Sequence, residues 1–433
     1  MMRTVLIALS FCLSSWQAYG QAPRAAGAPP AKLPAASARP IRQAPEREAP
    51  REISRLGWLT GESTATRRDQ EAIGRKLEEF GATIEGETDP NGKDFLSITW
   101  NEGDQGLELL TRLPGVRWLD LSRTRVTDAG LAAVGQLADL QALKLQQTRV
   151  TDRGLAQLAG LVQLEGLSLH DTRITGAGLQ HLQTLANLKI LNLSWTHAGD
   201  DGLAAISICS QLEELYLYDA KITDAGLAHL AQLKNLRSLK LSHNDITAQG
   251  VGHLKPLVSL EALWLDFTDA GDLSLAYLQM LPNLRGLFLA ETQVTDVGLA
   301  KLARVRSLEV LDLANLPITD LGVRYLERSP RIQMLSLEGT QITPAAAGPL
   351  SRLGNITQLN LSGTAIDDTA VANLVKLKRL THLNVSQTAV TDAALRSIAR
   401  LSDLEELNVR GTKISPQALV ELRQARPKLH VIE

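Results

Sequence analysis

Leucine-like residues recur at a fixed interval of 24 positions over most of the chain. The series begins at Val116 and continues without insertion or deletion. Its members are Val116, Leu140, Leu164, Leu188, Leu212, Leu236, Leu260, Leu284, Leu308, Ile332, Ile356, Leu380 and Leu404. The pattern divides residues 116–427 into thirteen consecutive repeats, which we number units 1 to 13.

Each unit changes its hydrophobic period partway along, and the change predicts two elements. In unit 2, Leu143 and Leu145 alternate with polar residues, which indicates a strand with one buried face. Three leucines spaced by three positions follow and indicate one face of a short helix: Leu155, Leu158 and Leu161.

A Thr-Asp pair and a glycine mark the start of each predicted helix. In unit 2 these are Thr151, Asp152 and Gly154. We expect the Thr hydroxyl or the Asp carboxylate to cap the first free N–H groups of the helix. We expect the glycine to relieve crowding where the helix start passes the neighbouring turn.

Stacking is required because no single unit can bury its own leucines. Stacked units share one continuous core, and their strands pair into a parallel sheet. Strands lie about 4.8 Å apart, whereas packed helices lie about 8–10 Å apart. The stack must therefore curve into a horseshoe or arc, with the sheet on the concave side and the helices on the convex side.

The repeat template L-x-x-L-x-L-x-x-T-x-[IV]-T-D-x-G-L resembles leucine-rich repeats of the ribonuclease-inhibitor-like and cysteine-containing subtypes. It is especially similar to the 24-residue T-D-x-G-L arrays of exported bacterial proteins. The resemblance implies an α/β leucine-rich-repeat solenoid that binds a protein or ligand, without naming the partner. Thr124, Thr148 and Thr172 stand where the cysteine-containing subtype often has Cys. That departure and the lack of an F-box-like segment argue against a ubiquitin-ligase adaptor.

The first twenty residues are typical of an export signal. Arg3 gives a positive start, an apolar run follows from Val5 to Leu13, and Ala18-Tyr19-Gly20 is a small-x-small cleavage site. We expect cleavage near Gly20 and a secreted, periplasmic or cell-envelope protein. The apolar run is too short to span a bilayer, and we expect neither a transmembrane segment nor a lipid anchor.

Cleavage after Gly20 removes Cys12 and leaves Cys209 as the only cysteine. An intramolecular disulfide is then impossible, even in an oxidising compartment. Cys209 occupies the last core position of unit 4, and we expect a buried, unreactive thiol there.

Residues 21–56 are rich in Ala, Pro and Arg and show no hydrophobic periodicity. This composition predicts a disordered linker, partly in polyproline-II conformation. Seven basic and three acidic residues give the segment a net charge of +4. It is either a solvated spacer or a basic arm that attaches to an acidic envelope or wall polymer.

The two ends of the array need caps, because the terminal units would otherwise expose their leucines. Residues 57–115 form the predicted N-terminal cap, with a helix from Asp69 to Phe80 and a strand from Phe95 to Trp100. At the other end Pro427 is expected to stop the last helix. The closing segment 428–433 is expected to contain a strand from Leu429 to Ile432.

A search for catalytic or metal-binding patterns identifies one weak candidate. Asp219 and His243 share the same position after the strand in units 5 and 6, and they are either a metal or acid–base pair or a surface ion pair. No third ligand or nucleophile accompanies them. The net charge of −2 does not favour nucleic acid as a partner. We therefore predict a protein that is not an enzyme and has no cofactor or metal.

Aromatic residues gather on one side of the predicted sheet. We call this side the open face, because its side chains point away from the core leucines. In units 10 to 13 the open face is small or polar: Ser336, Glu338, Asn360, Ser362, Asn384, Ser386, Asn408 and Arg410. In units 4 to 8 it holds six rings among polar side chains: Trp195, Tyr216, Tyr218, Asp219, His243, Trp264, Asp266, Phe267 and Phe288, with Glu291 at the rim.

These ten residues are the predicted partner-binding site. An acidic, aromatic surface suits a basic or amphipathic protein segment, and ring faces also suit a carbohydrate. Alternatively, the rings only cover one another or the loop edge. Two further functions remain open for the chain, which we expect to be a monomer. One is a structural component of the cell envelope, and the other is an enzyme or enzyme inhibitor that uses the concave rim.

Overall fold

The computed structural model describes residues 64–433, with side chains from residue 69 onward. The predicted signal peptide, the linker and the first residues of the N-terminal cap lie outside the described residues. Within the described part, no helix is both long and apolar enough to cross a lipid bilayer.

Within residues 64–433, sixteen strands form one sheet in which spatial order equals chain order. β1 and β2 pair as an antiparallel hairpin, and every later pair is parallel. The strands are β1 Thr83–Thr88, β2 Asp94–Thr99, β3 Val116–Asp120, β4 Ala142–Lys144, β5 Gly166–Ser168, β6 Ile190–Asn192, β7 Glu214–Tyr216, β8 Ser238–Lys240, β9 Ala262–Trp264, β10 Gly286–Phe288, β11 Val310–Asp312, β12 Met334–Ser336, β13 Gln358–Asn360, β14 His382–Asn384, β15 Glu406–Asn408 and β16 His430–Ile432.

Short helices alternate with the strands. The α-helices are Thr64–Glu79, Asp128–Val134, Asp152–Leu155, Gly176–Leu179, Gly199–Ile206, Asp224–Leu227, Ala248–His253, Asp272–Leu278, Asp296–Leu302, Asp320–Leu326, Ala347–Leu350, Asp368–Leu374, Leu395–Ile398 and Pro416–Ala425. The 3₁₀ helices are Leu107–Arg112, Ala156–Leu158, Gln180–Thr184, Ala228–Gln232, Pro344–Ala346 and Asp392–Ala394.

The repeat leucines form a single core between the sheet and the helices. In unit 2, Leu143 and Leu145 of the strand region and Leu155, Leu158 and Leu161 of the helical region are all at most 1% exposed. Equivalent residues pair across neighbouring strands, for example Leu143 with Leu167. The predicted leucine-rich-repeat solenoid is confirmed.

The Asp of each Thr-Asp pair links two units, which differs from the predicted capping role. The Asp128 carboxylate accepts hydrogen bonds from the backbone N–H and the hydroxyl of Thr151 in the next unit, at 2.7 and 2.6 Å. The same pair of bonds occurs at ten junctions. The hydroxyl does cap in most units, as when Thr127 accepts from the N–H of Ala129 at 3.2 Å.

The glycine of the motif makes room for that linking carboxylate. A Cβ at Gly154 would lie 2.4 Å from Asp128 Oδ1, and one at Gly178 would lie 2.3 Å from Asp152 Oδ1. Both distances are far below van der Waals contact. The crowding expected at this glycine is therefore present, and its source is the aspartate of the preceding unit.

The Thr that stands in the place of Cys is buried and satisfies a backbone carbonyl. Thr148 is 8% exposed, and its hydroxyl donates to the carbonyl of Leu145 at 2.7 Å. Units 5 and 6 depart together from this arrangement, because they carry Ala220 and Asn244 at this position. The Asn244 amide donates to the carbonyls of both units, those of Leu217 and Leu241, at 2.7 and 2.9 Å.

The caps contain the expected elements and one additional strand. The first helix begins at Thr64, before the predicted Asp69, and buries Ile73 and Leu77. β2 closely matches the predicted strand, whereas β1 was not predicted, because its six residues are intermediate or exposed and carry little hydrophobic signal. At the other end β16 closes the sheet on β15.

Cys209 is buried at 6% exposure, as expected. Burial raises the pKa of its thiol to about 11, because the thiolate is poorly solvated there. The thiol is therefore protonated and unreactive near neutral pH.

Candidate binding surface

A turn with left-handed backbone follows the strand of every repeat unit. We call its residue the left-handed position. In units 10, 11 and 13 it is Gly339, Gly363 and Gly411. In units 4 to 8 it is a larger residue with φ between 48° and 60°: Trp195, Asp219, His243, Phe267 and Glu291. Units 1, 2, 3, 9 and 12 also carry non-glycine residues there: Arg123, Gln147, Asp171, Asn315 and Gln387. The conformation costs an ordinary L-residue about 1–2 kcal/mol. Most units bear this strain, and what distinguishes units 4, 6 and 7 is the ring at the position.

Four rings from units 4 to 7 form a row along the solenoid, which we call the outer row. Trp195 and Tyr218 have ring centroids 5.2 Å apart, and Tyr218 and His243 are 4.6 Å apart. His243 and Phe267 follow at 4.2 Å with stacked planes. Tyr218 and His243 therefore each have a ring on either side.

A second row lies beside it on the strands of units 5 to 8, and we call it the inner row. Its members are Tyr216, Lys240, Trp264 and Phe288. The Lys240 ammonium lies 5.3 Å from the Tyr216 ring centroid and 4.7 Å from that of Trp264. Trp264 and Phe288 stack in parallel planes at 4.7 Å. Phe288 is only 8% exposed, and its buried ring packs against that of Trp264.

Trp195 is the most accessible ring of the two rows. It is 50% exposed and stands at the end of the outer row, with a ring neighbour, Tyr218, on one side. The other rings of the outer row are half-buried. Every ring of the two rows therefore lies against a neighbouring ring or Lys240 on at least one side.

The predicted acidic residues have three different environments. The Asp219 carboxylate accepts from Lys221 Nζ at 2.6 Å. Glu291 is exposed at the rim. Asp266 is half-buried beneath the rings, where it accepts from Ser242 Oγ and from the N–H of Ala290, both at 3.0 Å.

Asp266, Asp312 and Glu338 are three acidic side chains of the open face with raised pKa values. Burial and the nearby charge of Asp312 raise the pKa of Asp266 to about 7, against the effect of its hydrogen bonds. Burial likewise raises the pKa of Asp312 to about 6 and raises that of Glu338. The negative charge of this surface therefore depends on pH near neutrality.

Asp219 and His243, the candidate metal or acid–base pair, each contact other residues of this surface. Asp219 bonds to Lys221, while the His243 ring lies between Tyr218 and Phe267. Among the described residues no group of three or more His, Cys, Asp or Glu side chains is placed to hold a metal ion. His243 is therefore one of the packed rings of the outer row.

Two charged residues of the open face, Lys240 and Asp312, were not predicted from the sequence. Lys240 shares the strand position of Tyr216, Trp264 and Phe288, and Asp312 follows at the same position in unit 9, so the repeat register contained the signal. Glu338 was predicted on this face, but not as part of the binding site.

Comparisons with known proteins agree with this fold. A family model described as a leucine-rich repeat matches residues 184–207 and 232–254. The structure of an internalin from Listeria monocytogenes matches with a TM-score of 0.55 and 22% identity, over 70% of this chain and 82% of the internalin. A leucine-rich-repeat protein from Leptospira interrogans matches with a TM-score of 0.56 and 22% identity, over 75% of this chain and 80% of its own. No curated protein matches the chain significantly.

Proposed function

We propose that this chain is an exported, non-enzymatic binding scaffold of bacterial type that captures a protein partner on the open face of units 4 to 8. The observation that carries the proposal is the pair of packed ring rows spanning five adjacent units. These rings lie outside the leucine core, and several occupy a backbone conformation that favours glycine. The core does not need these rings, and we attribute them to partner binding.

The covered ring faces favour a protein over a carbohydrate. Carbohydrate recognition by aromatic residues uses an open ring face, and here every ring lies against another ring or Lys240 on at least one side. Ring edges carry partial positive charge and contact carbonyl groups and other rings favourably. A peptide segment supplies both.

The charges around the rings suit a partner segment that is basic or amphipathic. Glu291 is exposed at the rim, and Asp266 and Asp312 lie on the same face. A rigid sheet with prepacked rings also loses little conformational entropy on binding. The surface therefore provides aromatic anchors and charge complementarity without rearrangement.

Export is part of the proposal and rests on the sequence of residues 1–20. The apolar run and small-x-small site there direct secretion, followed by function in the periplasm, at the cell envelope or outside the cell. The fold similarity to two bacterial leucine-rich-repeat proteins is consistent with that origin.

The test compares two tryptophan variants on the same face. Trp195→Ala combined with Trp264→Ala removes one anchor from each row, while Trp118→Ala removes a 47% exposed tryptophan of unit 1 that lies outside both rows. The immobilised full-length mature chain is exposed to the exported proteome, and retained proteins are identified. We expect a specific protein to bind the wild type and Trp118→Ala but to lose at least about thirtyfold in affinity for the double variant.

Two other outcomes separate the alternatives. Equal capture by all three chains, each with an unchanged melting temperature, contradicts the proposed surface. A second outcome is that no captured protein distinguishes the variants, while the double variant fails to bind purified glycans that the wild type binds. That outcome supports a carbohydrate-binding module. A structural envelope role predicts that deleting residues 21–56 abolishes localisation while the double variant behaves as wild type.

A further inference from the structure

A basic row lies on the loop edge of the solenoid, two residues beyond the left-handed position, and it adjoins the outer row in units 4 and 5. It occupies the variable position of the T-x-[IV] segment, whose flanking residues are buried. In units 1 to 5 this position holds only basic side chains, and all five are exposed: Arg125, Arg149, Arg173, His197 and Lys221. In units 6 and 7 it changes to Asp245 and Asp269. The row is therefore confined to the N-terminal part of the array.

Backbone hydrogen bonds hold neighbouring members of the row close together. The N–H of Arg149 donates to the carbonyl of Val126 in the preceding unit at 2.9 Å. The N–H of His197 donates to the carbonyl of Ile174 at 3.1 Å. Such bonds space equivalent residues by roughly the strand separation of about 5 Å. The result is a row of basic side chains carried at regular backbone intervals.

The charges of the three arginines are not neutralised within the described chain. Arg125, Arg149 and Arg173 make no ion pair there. The nearby carboxylates of the repeat motif are occupied by the next unit, as Asp128 is by Thr151. Lys221 differs, because it pairs with Asp219. Three unpaired guanidinium groups therefore face solvent in a line.

We propose that the row formed by Arg125, Arg149, Arg173 and His197 binds an acidic polysaccharide that carries a carboxylate on successive sugars. A regular, one-dimensional line of cations complements a linear chain of regularly spaced anions. This site shares no residue with the two ring rows, and the inference does not depend on the proposed protein partner.

The surroundings of the row disfavour two other polyanionic partners. Exposed carboxylates flank it, including Asp171 and Asp201, and a flat anionic membrane would meet them as well as the arginines. Single-stranded nucleic acid usually stacks its bases on aromatic side chains beside a basic track. Trp195 borders His197 in unit 4, but units 1 to 3, which hold the three arginines, have no Trp, Tyr or Phe at the positions bordering the row.

The experiment measures binding of the full-length mature chain to polygalacturonate. The test variant is Arg125→Gln/Arg149→Gln/Arg173→Gln. The matched control is Arg304→Gln/Arg328→Gln/Arg400→Gln, which removes the same charge from exposed arginines on the helical side. We expect the test variant to bind at least about tenfold more weakly at low salt, and its affinity to depend less steeply on salt concentration. The control should bind as the wild type does.

Three results would overturn the inference. In the first, the wild type does not bind polygalacturonate. In the second, the test and control variants lose affinity equally. In the third, the wild type binds polyuridylate or phosphatidylglycerol vesicles as tightly as polygalacturonate, and the test variant loses that binding. Failure here is distinguishable from failure of the ring surface, because the test variant retains Trp195 and Trp264 and is expected to capture the protein partner normally.

Discussion

Units 4 to 8 and units 10 to 13 have the same backbone but very different open faces. In the C-terminal group, Asn side chains satisfy the turn locally: Asn360 Oδ1 accepts from the N–H of Ser362 at 3.0 Å, and Asn384 Oδ1 from that of Ser386 at 2.9 Å. In units 4 to 8, the open face instead carries rings that contact rings of the next unit.

The difference shows which side chains folding requires and which it tolerates. Glycine at the left-handed position relieves backbone strain in units 10, 11 and 13. Trp195 and Phe267 at the same position incur that strain, and they are not needed to fill the leucine core. Most units bear a non-glycine residue at this position, and the rings, which are not needed for the core, distinguish units 4 to 8 from the rest of the array.

The largest expected effect concerns Asn244, where units 5 and 6 depart from the buried Thr that most other units carry. Its side chain accepts from the N–H groups of Ala220 and Ile222 and donates to carbonyls of both units. Asn244→Ala leaves these buried groups unpaired, which we expect to cost about 3 kcal/mol in the free energy of unfolding. Urea denaturation measures the loss.

A consensus unit provides the matched control for Asn244. Thr364→Ala removes a single buried hydroxyl that donates to the carbonyl of Leu361, and we expect a cost of about 1 kcal/mol. The double change Ala220→Thr/Asn244→Thr restores the template in both units and should recover most of the stability. If Asn244→Ala costs no more than Thr364→Ala, the shared network is not a stabilising feature.

A smaller effect is expected from the pH dependence of Asp266. Its pKa of about 7 in the folded chain lies above the ordinary value of 3.8. Folding is therefore accompanied by uptake of a proton between about pH 4 and pH 7. The stabilisation that protonated Asp266 provides is lost as pH rises through that range. Asp266→Asn should abolish this loss and raise the free energy of unfolding by roughly 1–2 kcal/mol at pH 8. Urea denaturation from pH 4 to pH 8 checks it.

Asp120 of unit 1 gives the opposite sign and serves as the control. Burial raises its pKa, but hydrogen bonds from Ser122 and Lys144 outweigh burial and lower the pKa below 3.8. Ionised Asp120 therefore stabilises the fold above its unfolded pKa, and Asp120→Asn should reduce stability at pH 8. If Asp266→Asn and Asp120→Asn change the free energy of unfolding at pH 8 in the same direction, the opposite pKa shifts of the two groups are contradicted.

The fold was predictable because one register repeats thirteen times. The positions of Leu143 and Leu155 in unit 2 already fix strand and helix, and stacking follows from their burial. The linking role of Asp128 was not predictable from a single unit, because its partner Thr151 lies one full repeat later. β1 was missed because an exposed hairpin strand has no apolar alternation.

The open face was predictable as a set of positions but not as a set of contacts. Register placed Tyr218 and His243 in neighbouring units, yet sequence alone could not show that their rings stack. Nor could it show that Phe288 is covered, because its burial depends on the rotamer of Trp264. Side-chain packing between units determines these contacts, and a template does not encode rotamers.

The smallest expected stability effect comes from Trp195→Gly. Glycine relieves about 1 kcal/mol of left-handed strain at φ 58°, while loss of the contact with Tyr218 costs about 0.5–1.5 kcal/mol. We expect these to offset each other, so that stability changes by less than about 1 kcal/mol while partner capture falls.

Gly363→Ala measures the strain on its own, because the atoms nearest an added Cβ lie 3.7 Å away, in ordinary contact. We expect it to cost about 1 kcal/mol in urea denaturation. Adding that value to the destabilisation measured for Trp195→Gly gives the energy of the indole contact. If the indole stabilises the fold by several kcal/mol, Trp195 is a structural residue and its exposure is incidental. If it contributes little, a strained and half-exposed tryptophan has no role in folding, and the comparison between the two regions points to a partner.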